Sequence, residues 1–200
     1  MEISRASGCT GDVLRLRGDI VEGDYVRFRS YFSAQRKITG IDLSSKGGNL
    51  YEGFRIAIFT RQKGLTTYVS GECDSACAFI FLASRKRYIS ERATIGVHSV
   101  ANSHGGEDSK TIRDTIYLAR LSAKLGIPLS TIGRMVATPA GKISFLSEGD
   151  LSALKVVVRD PFEDRVGEKS SPQDCSSNQT TAASDLEQSA SEAASSVAAD

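Results

Sequence analysis

Three short segments carry residue types suited to acyl-transfer chemistry. The first is Asp74-Ser75-Ala76-Cys77, which leads into the apolar run Ala76 to Ala83. A serine at a helix N-terminus lies beside unpaired N–H groups and the positive end of the helix dipole. Ser75 there suits a nucleophile, with the Ala76 N–H placed to meet an oxyanion. The same position also suits a plain helix cap. The second segment is Ser44-Ser45-Lys46-Gly47-Gly48. Paired glycines after a strand let the backbone turn sharply and present its N–H groups, although a simple turn has the same composition. The third is Ile95-Gly96-Val97-His98-Ser99. A histidine closing a short buried strand can act as a general base aimed at a cleft, or be structural. The chain has two histidines. The other, His104, lies in a polar loop beside Gly105-Gly106 and is expected to be solvated.

These residues need a scaffold, and the pattern supplies one. Val13 to Arg17 reads as the first strand, followed by a helix capped by Asp24 and running to about Lys37. Ile38 to Leu43 is a short strand. Asn49 caps a second helix, with Leu50, Phe54, Ala57 and Ile58 at helical spacing, and Gly64 ends it. Leu65 to Val69 is a strand, and Ala76 to Ala83 is apolar enough to be a buried helix. Arg87 to Ile89 and Thr94 to Val97 are strands, and Ser99 to Glu107 is a polar loop. Ser109 to Leu125 is expected as an amphipathic helix whose apolar face carries Ile112, Ile116, Ala119 and Ala123. Pro128 starts a further helix. Phe145-Leu146-Ser147 opens the last one, and Lys155 to Val158 forms the last strand. Alternating strands and helices imply crossover units and a mainly parallel sheet, an α/β class. From residue 162 onward Ser, Ala, Thr, Gln, Asp and Glu dominate. Such a segment cannot offset its ordering entropy by burial. The expected division is therefore an α/β domain over 1–161 and a disordered tail over 162–200.

Bulk properties narrow the function. The formal charge of the 200 residues is +1 and the pI is near 7.6, so no basic face points to nucleic acid. No apolar run approaches the roughly 20 residues that span a bilayer. Met1-Glu2-Ile3-Ser4-Arg5 lacks the layout of a secretory leader. The expectation is a cytoplasmic chain, or a periplasmic one whose leader is missing. Of the four cysteines, Cys73 and Cys77 form C-x3-C without the second pair that a zinc site needs. Buried thiols are the favoured expectation for this pair, with a bridge as the alternative in an exported chain. No metal or cofactor is expected.

Order and spacing of the three segments resemble a family. Ser-Lys-Gly-Gly after a strand, Cys-Asp-Ser-Ala-Cys-Ala-Phe-Ile-Phe-Leu-Ala, and Ile-Gly-Val-His are similar to the Clp-protease proteolytic subunit and crotonase-like superfamily. They are most similar to a bacterial, often periplasmic, Clp-like branch. The resemblance runs from about Val13 to Val158, and Arg15-Leu16-Arg17-Gly18-Asp19-Ile20 and Phe145-Leu146-Ser147 fit its ends. It implies a mainly parallel sheet built from ββα and βα crossover units, and a serine peptidase. Ser75 would be the nucleophile and His98 the general base. The N–H groups of Gly48 and Ala76, and also of Gly47, would form the oxyanion hole. The Gly47-Gly48-Asn49 stretch would dock an extended peptide or protein substrate by strand addition. Homo-oligomers are implied by the resemblance alone.

Two departures stand out. Lys46 replaces the proline usual in the glycine loop and is expected to point to solvent, with a base role, as in serine–lysine relatives of the fold, as the alternative. The region where the family carries its orienting acid reads Thr138-Pro139-Ala140-Gly141-Lys142, with no carboxylate. Asp150 comes later and is expected to be solvated, and Asp108 and Asp114 follow His98. Two other functions are thereby kept open: a peptide-binding module without catalysis, and a crotonase-like acyl-CoA enzyme that would use a glutamate acid/base.

Overall fold

The computed structural model describes residues 1–7, 11–33 and 37–162. Its strands are β1 (Glu2–Ala6), β2 (Asp12–Arg17), β3 (Ile38–Ser45), β4 (Thr66–Asp74), β5 (Lys86–Ile89), β6 (Thr94–Val97), β7 (Ser144–Phe145) and β8 (Val157–Val158). Its helices are α1 (Asp24–Ser30), α2 (Leu50–Lys63), α3 (Ala76–Ala83), α4 (Ser109–Lys124), α5 (Leu129–Ala137) and α6 (Glu148–Ala153). The strands form one sheet in the order β1-β2-β3-β4-β5-β8, with β6 pairing β4 and β7 pairing β6. All pairings are parallel except β1 with β2 and β6 with β7. The mainly parallel α/β architecture expected from the sequence is therefore present.

Strand β4 changes partner along its length. Thr66 to Val69 pair with β5, whereas Glu72 to Asp74 pair with β6. The register between β3 and β4 shifts as well, so that Ser45 lies opposite Cys73. This brings the glycine loop after β3 beside the end of β4, where Ser75 follows. The core is continuous behind them. Leu14, Leu16, Ile41, Leu43 and Val69 of the sheet are buried with Ile56 and Ala57 of α2. All eight residues of α3 are buried, as its uniformly apolar sequence requires.

Several elements differ from expectation. The strand β1 was not foreseen. Its sequence Glu-Ile-Ser-Arg-Ala has little apolar surface, and the strand exists by edge pairing with β2. Helix α1 is short and Asp24 does not cap it; Gly23 holds that position at φ 86°. Asp24 is fully buried and binds inward, accepting from the Val21 N–H at 2.7 Å and pairing with Arg27 and the Met1 ammonium. Burial pushes its carboxyl up, but the Val21 N–H, Arg27 and the Met1 ammonium together hold it below the usual range. Asn49 does cap α2, accepting from the Glu52 N–H at 3.1 Å, and Gly64 ends it at φ 65°. Helix α4 turns a different face inward. It buries Thr111, Thr115, Leu118 and Ser122 and leaves Ile112, Ile116 and Tyr117 outside. A reciprocal cap between Asp108 and Thr111, and a bond from the Val100 N–H to Thr115 Oγ1, set this rotation.

Phe162 packs edge-on against Tyr68 and so belongs with the sheet. The rest of the expected tail, Cys9 and Cys175 lie outside the described residues. No described helix is long and apolar enough to cross a membrane.

Candidate active site

Ser75 joins β4 to α3 with φ 56° and ψ −120°. An L-residue with a side chain rarely occupies this region, and such strain clusters at functional turns. The turn is held on several sides. The Ser75 N–H donates to the Gly96 carbonyl at 2.9 Å. Cys73 and Cys77 bracket it as a disulfide with Cα atoms 5.2 Å apart, and neither residue is exposed. The pair is therefore bridged, and the buried-thiol expectation gives way to the alternative. The sharp elbow brings the two Cα atoms within disulfide reach. The Ser75 side chain makes no capping bond to α3.

The glycine loop packs directly on this elbow. Gly47 has φ 98°, and a Cβ there would lie 2.7 Å from both the Asp74 carbonyl oxygen and Ser75 Cβ. Only glycine fits this approach. The Gly47 N–H is already used, donating to Ser45 Oγ at 3.1 Å. Its carbonyl accepts from the Ile20 N–H at 2.7 Å, and the Asn49 N–H donates to the Ile20 carbonyl at 2.8 Å. Ile20 thus pairs with this stretch through Gly47 and Asn49, along one of its two edges. Among the described residues, the N–H groups of Gly48 and Ala76 donate to no protein acceptor.

His98 follows β6 and is half-buried. Its Nδ1 lies 2.6 Å from the Ser99 carbonyl oxygen. A carbonyl only accepts, so Nδ1 carries the proton and Nε2 is left basic. Ser75, Ala76, Gly48 and His98 line one cavity of about 900 Å³. Ser75 and His98 form no hydrogen bond with each other. The cavity wall is otherwise largely apolar, with Phe54, Phe79, Leu82, Leu118 and Met135, and its polar lining includes Asn102, Lys110 and Asp114.

Lys46 is mostly exposed and leans toward Glu72 at 3.9 Å, as a surface cation would. Asp150 is buried rather than solvated. It forms a reciprocal cap with Ser147 and pairs with Arg134 at 3.0 Å, and these bonds hold its carboxyl low despite burial. Asp108 caps α4, and Asp114 pairs with Lys110 at 3.0 Å. None of them bonds to His98. Asp74 directly precedes Ser75, and nothing in its spacing marks a role for it. It is fully buried and neither oxygen has a well-formed hydrogen bond. Burial, then Glu72, push its carboxyl up to about 7, against opposing pulls from the Gly96 backbone and Lys46. Among the described residues, no group of three or more His, Cys, Asp or Glu is arranged to hold a metal ion and no glutamate lines the cavity.

The sequence matches no protein-family model and no curated protein. Its structure is similar to solved ones. A mutant of ClpP1 from Listeria monocytogenes superposes with a TM-score of 0.58 at 19% identity, covering 77% of this chain and 94% of that one. A mutant of the 1510-N membrane-bound stomatin-specific protease superposes with a TM-score of 0.56 at 18% identity, covering 74% and 79% respectively. The chain has the Clp-protease/crotonase-like fold.

Proposed function

We propose that this protein is a serine peptidase with Ser75 as nucleophile and His98 as general base. One observation carries the reading. Ser75 is held in a strained elbow, makes no capping bond, and opens into a cavity beside two unengaged N–H groups. In the proposed reaction, Ser75 Oγ attacks an acyl carbonyl while His98 Nε2 takes its proton. The oxyanion is met by the N–H groups of Gly48 and Ala76. The imidazolium then protonates the leaving amine, and water releases the acyl-enzyme by the same route. Gly47 shapes the hole through its close approach and contributes no free donor. The apolar cavity wall suits an apolar side chain of a peptide substrate.

The Cys73–Cys77 bridge supports work in an oxidising compartment. A homo-oligomer remains part of this reading and is measurable by light scattering. The test of the function is turnover of an unstructured protein substrate. Wild type is expected to cleave it, and S75A and H98A to lose cleavage while staying folded. Wild type without cleavage across a broad peptide library contradicts the proposal.

A second reading, a peptide-binding module, draws support from the lack of a carboxylate on His98 among the described residues and from the absent Ser75–His98 bond. It predicts peptide binding that S75A leaves intact, with no turnover. The acyl-CoA alternative loses support because no glutamate among the described residues lines the cavity.

A further inference from the structure

Among the described residues the base has no carboxylate partner, yet its ring is held. Its Nδ1–H donates to the carbonyl of Ser99 at 2.6 Å. That acceptor is useful only if the peptide carrying it stays in place, and the peptide is fastened by groups far apart in sequence. The Ser99 N–H donates to the Thr138 carbonyl at 2.8 Å. The Ser99 hydroxyl donates to Glu107 Oε1 in a very short bond. The same Oε1 accepts from the Ala140 N–H at 3.0 Å. Glu107 therefore joins residue 99 to the segment 138–140. That segment lies where the family's orienting acid was expected, and here it offers only backbone groups. Ser99 is 4% exposed, so these contacts replace water for its polar groups. The two bonds keep the Glu107 carboxyl below its ordinary range, in its accepting form.

We infer that Glu107 is the positioning residue for the catalytic base, acting through Ser99: it locks the peptide whose carbonyl stands in for the missing orienting carboxylate. The inference rests on His98 being the base, as proposed above. Glu107 does not touch the ring. A neutral carbonyl orients the imidazole as a carboxylate does but stabilises the imidazolium less, so a site of this kind is tuned for geometry.

The test reads the tautomer directly. With two histidines in the chain, 15N-histidine NMR is assigned by comparison with H104N. Wild type is expected to show His98 protonated on Nδ1 and bare on Nε2 when neutral. E107A is expected to shift that population toward the averaged pattern of a free imidazole. E107Q, whose amide oxygen can accept both bonds, restores it. S99A keeps the carbonyl but cuts the Glu107 link, and is expected to shift the same way as E107A. Peptide kinetics should follow, with kcat lower by about 10- to 100-fold in E107A, KM changed less than about twofold, and E107Q recovering most of the loss. An unchanged His98 tautomer in E107A and S99A overturns the inference whatever the activity. Absence of turnover in wild type overturns the hydrolase reading instead, and the NMR result still decides the role of Glu107.

Discussion

Replacing Ser75 by alanine and by glycine distinguishes a strained nucleophile from a helix cap by stability alone. A capping serine contributes about 0.5–2 kcal/mol, and S75A would lose that amount. The structure shows no such bond from Ser75, so S75A is expected to unfold within about 0.5 kcal/mol of wild type. Glycine should do better than alanine. At φ 56° and ψ −120° a side chain costs about 1–3 kcal/mol. Glycine removes that cost but gives back about 0.5–1 kcal/mol to the entropy of the unfolded chain. The net gain of S75G over S75A is then up to about 2 kcal/mol. Urea unfolding at constant m measures it as a shift in midpoint. In a domain of this size each kcal/mol also moves Tm by about 2–4 °C. A loss of 1 kcal/mol or more in S75A, with S75G no more stable than S75A, would refute the reasoning and restore the cap.

Two further predictions concern the residues that flank Ser75. Asp74 has a folded pKa of about 7 against an ordinary 3.8, so the folded state keeps a proton that the unfolded state has released. Its contribution to stability is therefore greatest below pH 4 and falls as pH rises toward 7, by a ceiling of about 4 kcal/mol. Glu72 and Lys46 are the charged neighbours that set this window. In D74N the fall should disappear, so unfolding profiles of wild type and D74N converge in acid and separate at pH 8; identical slopes would count against the assignment. Removing the Cys73–Cys77 bridge as the C73A/C77A pair should cost about 2 kcal/mol for so short a loop. It should also slow acylation of Ser75 by freeing the elbow, and stopped-flow labelling that runs at the wild-type rate would contradict the bracing role.

How far the sequence could be read depended on whether the signal was local. The capped helix α2, the buried helix α3 and the glycine loop were legible because cap chemistry, uniform apolarity and a Gly-Gly pair act within a few residues. Strand β1 was not, since edge pairing with β2 gives a polar segment its conformation. The inward face of α4 was misread because Ile112 and Ile116 follow helical periodicity while Thr111 and Thr115 make the contacts that fix its rotation. In the site, Ser75, His98 and the glycines could be named from their segments. Glu107 could not, because its role arises when a loop closes onto Ser99 and Ala140, and nothing in its spacing marks it. The bridge stood only as the alternative for a related reason: C-x3-C is compatible with two buried thiols until the elbow brings the Cα atoms together. Gly47 shows the opposite case, where a composition signal was right but its use was not. Its N–H is taken by Ser45, and its value lies in the space it leaves for Ser75.

The central claim is that Ser75 is a nucleophile activated by His98. Labelling with a fluorophosphonate probe, located by mass spectrometry of the digested protein, addresses it most directly. The account predicts one adduct, on Ser75, that forms in wild type, is absent in S75A and forms far more slowly in H98A. A wild-type protein that stays unlabelled while a control serine hydrolase reacts fully, or an adduct on another serine, would contradict it.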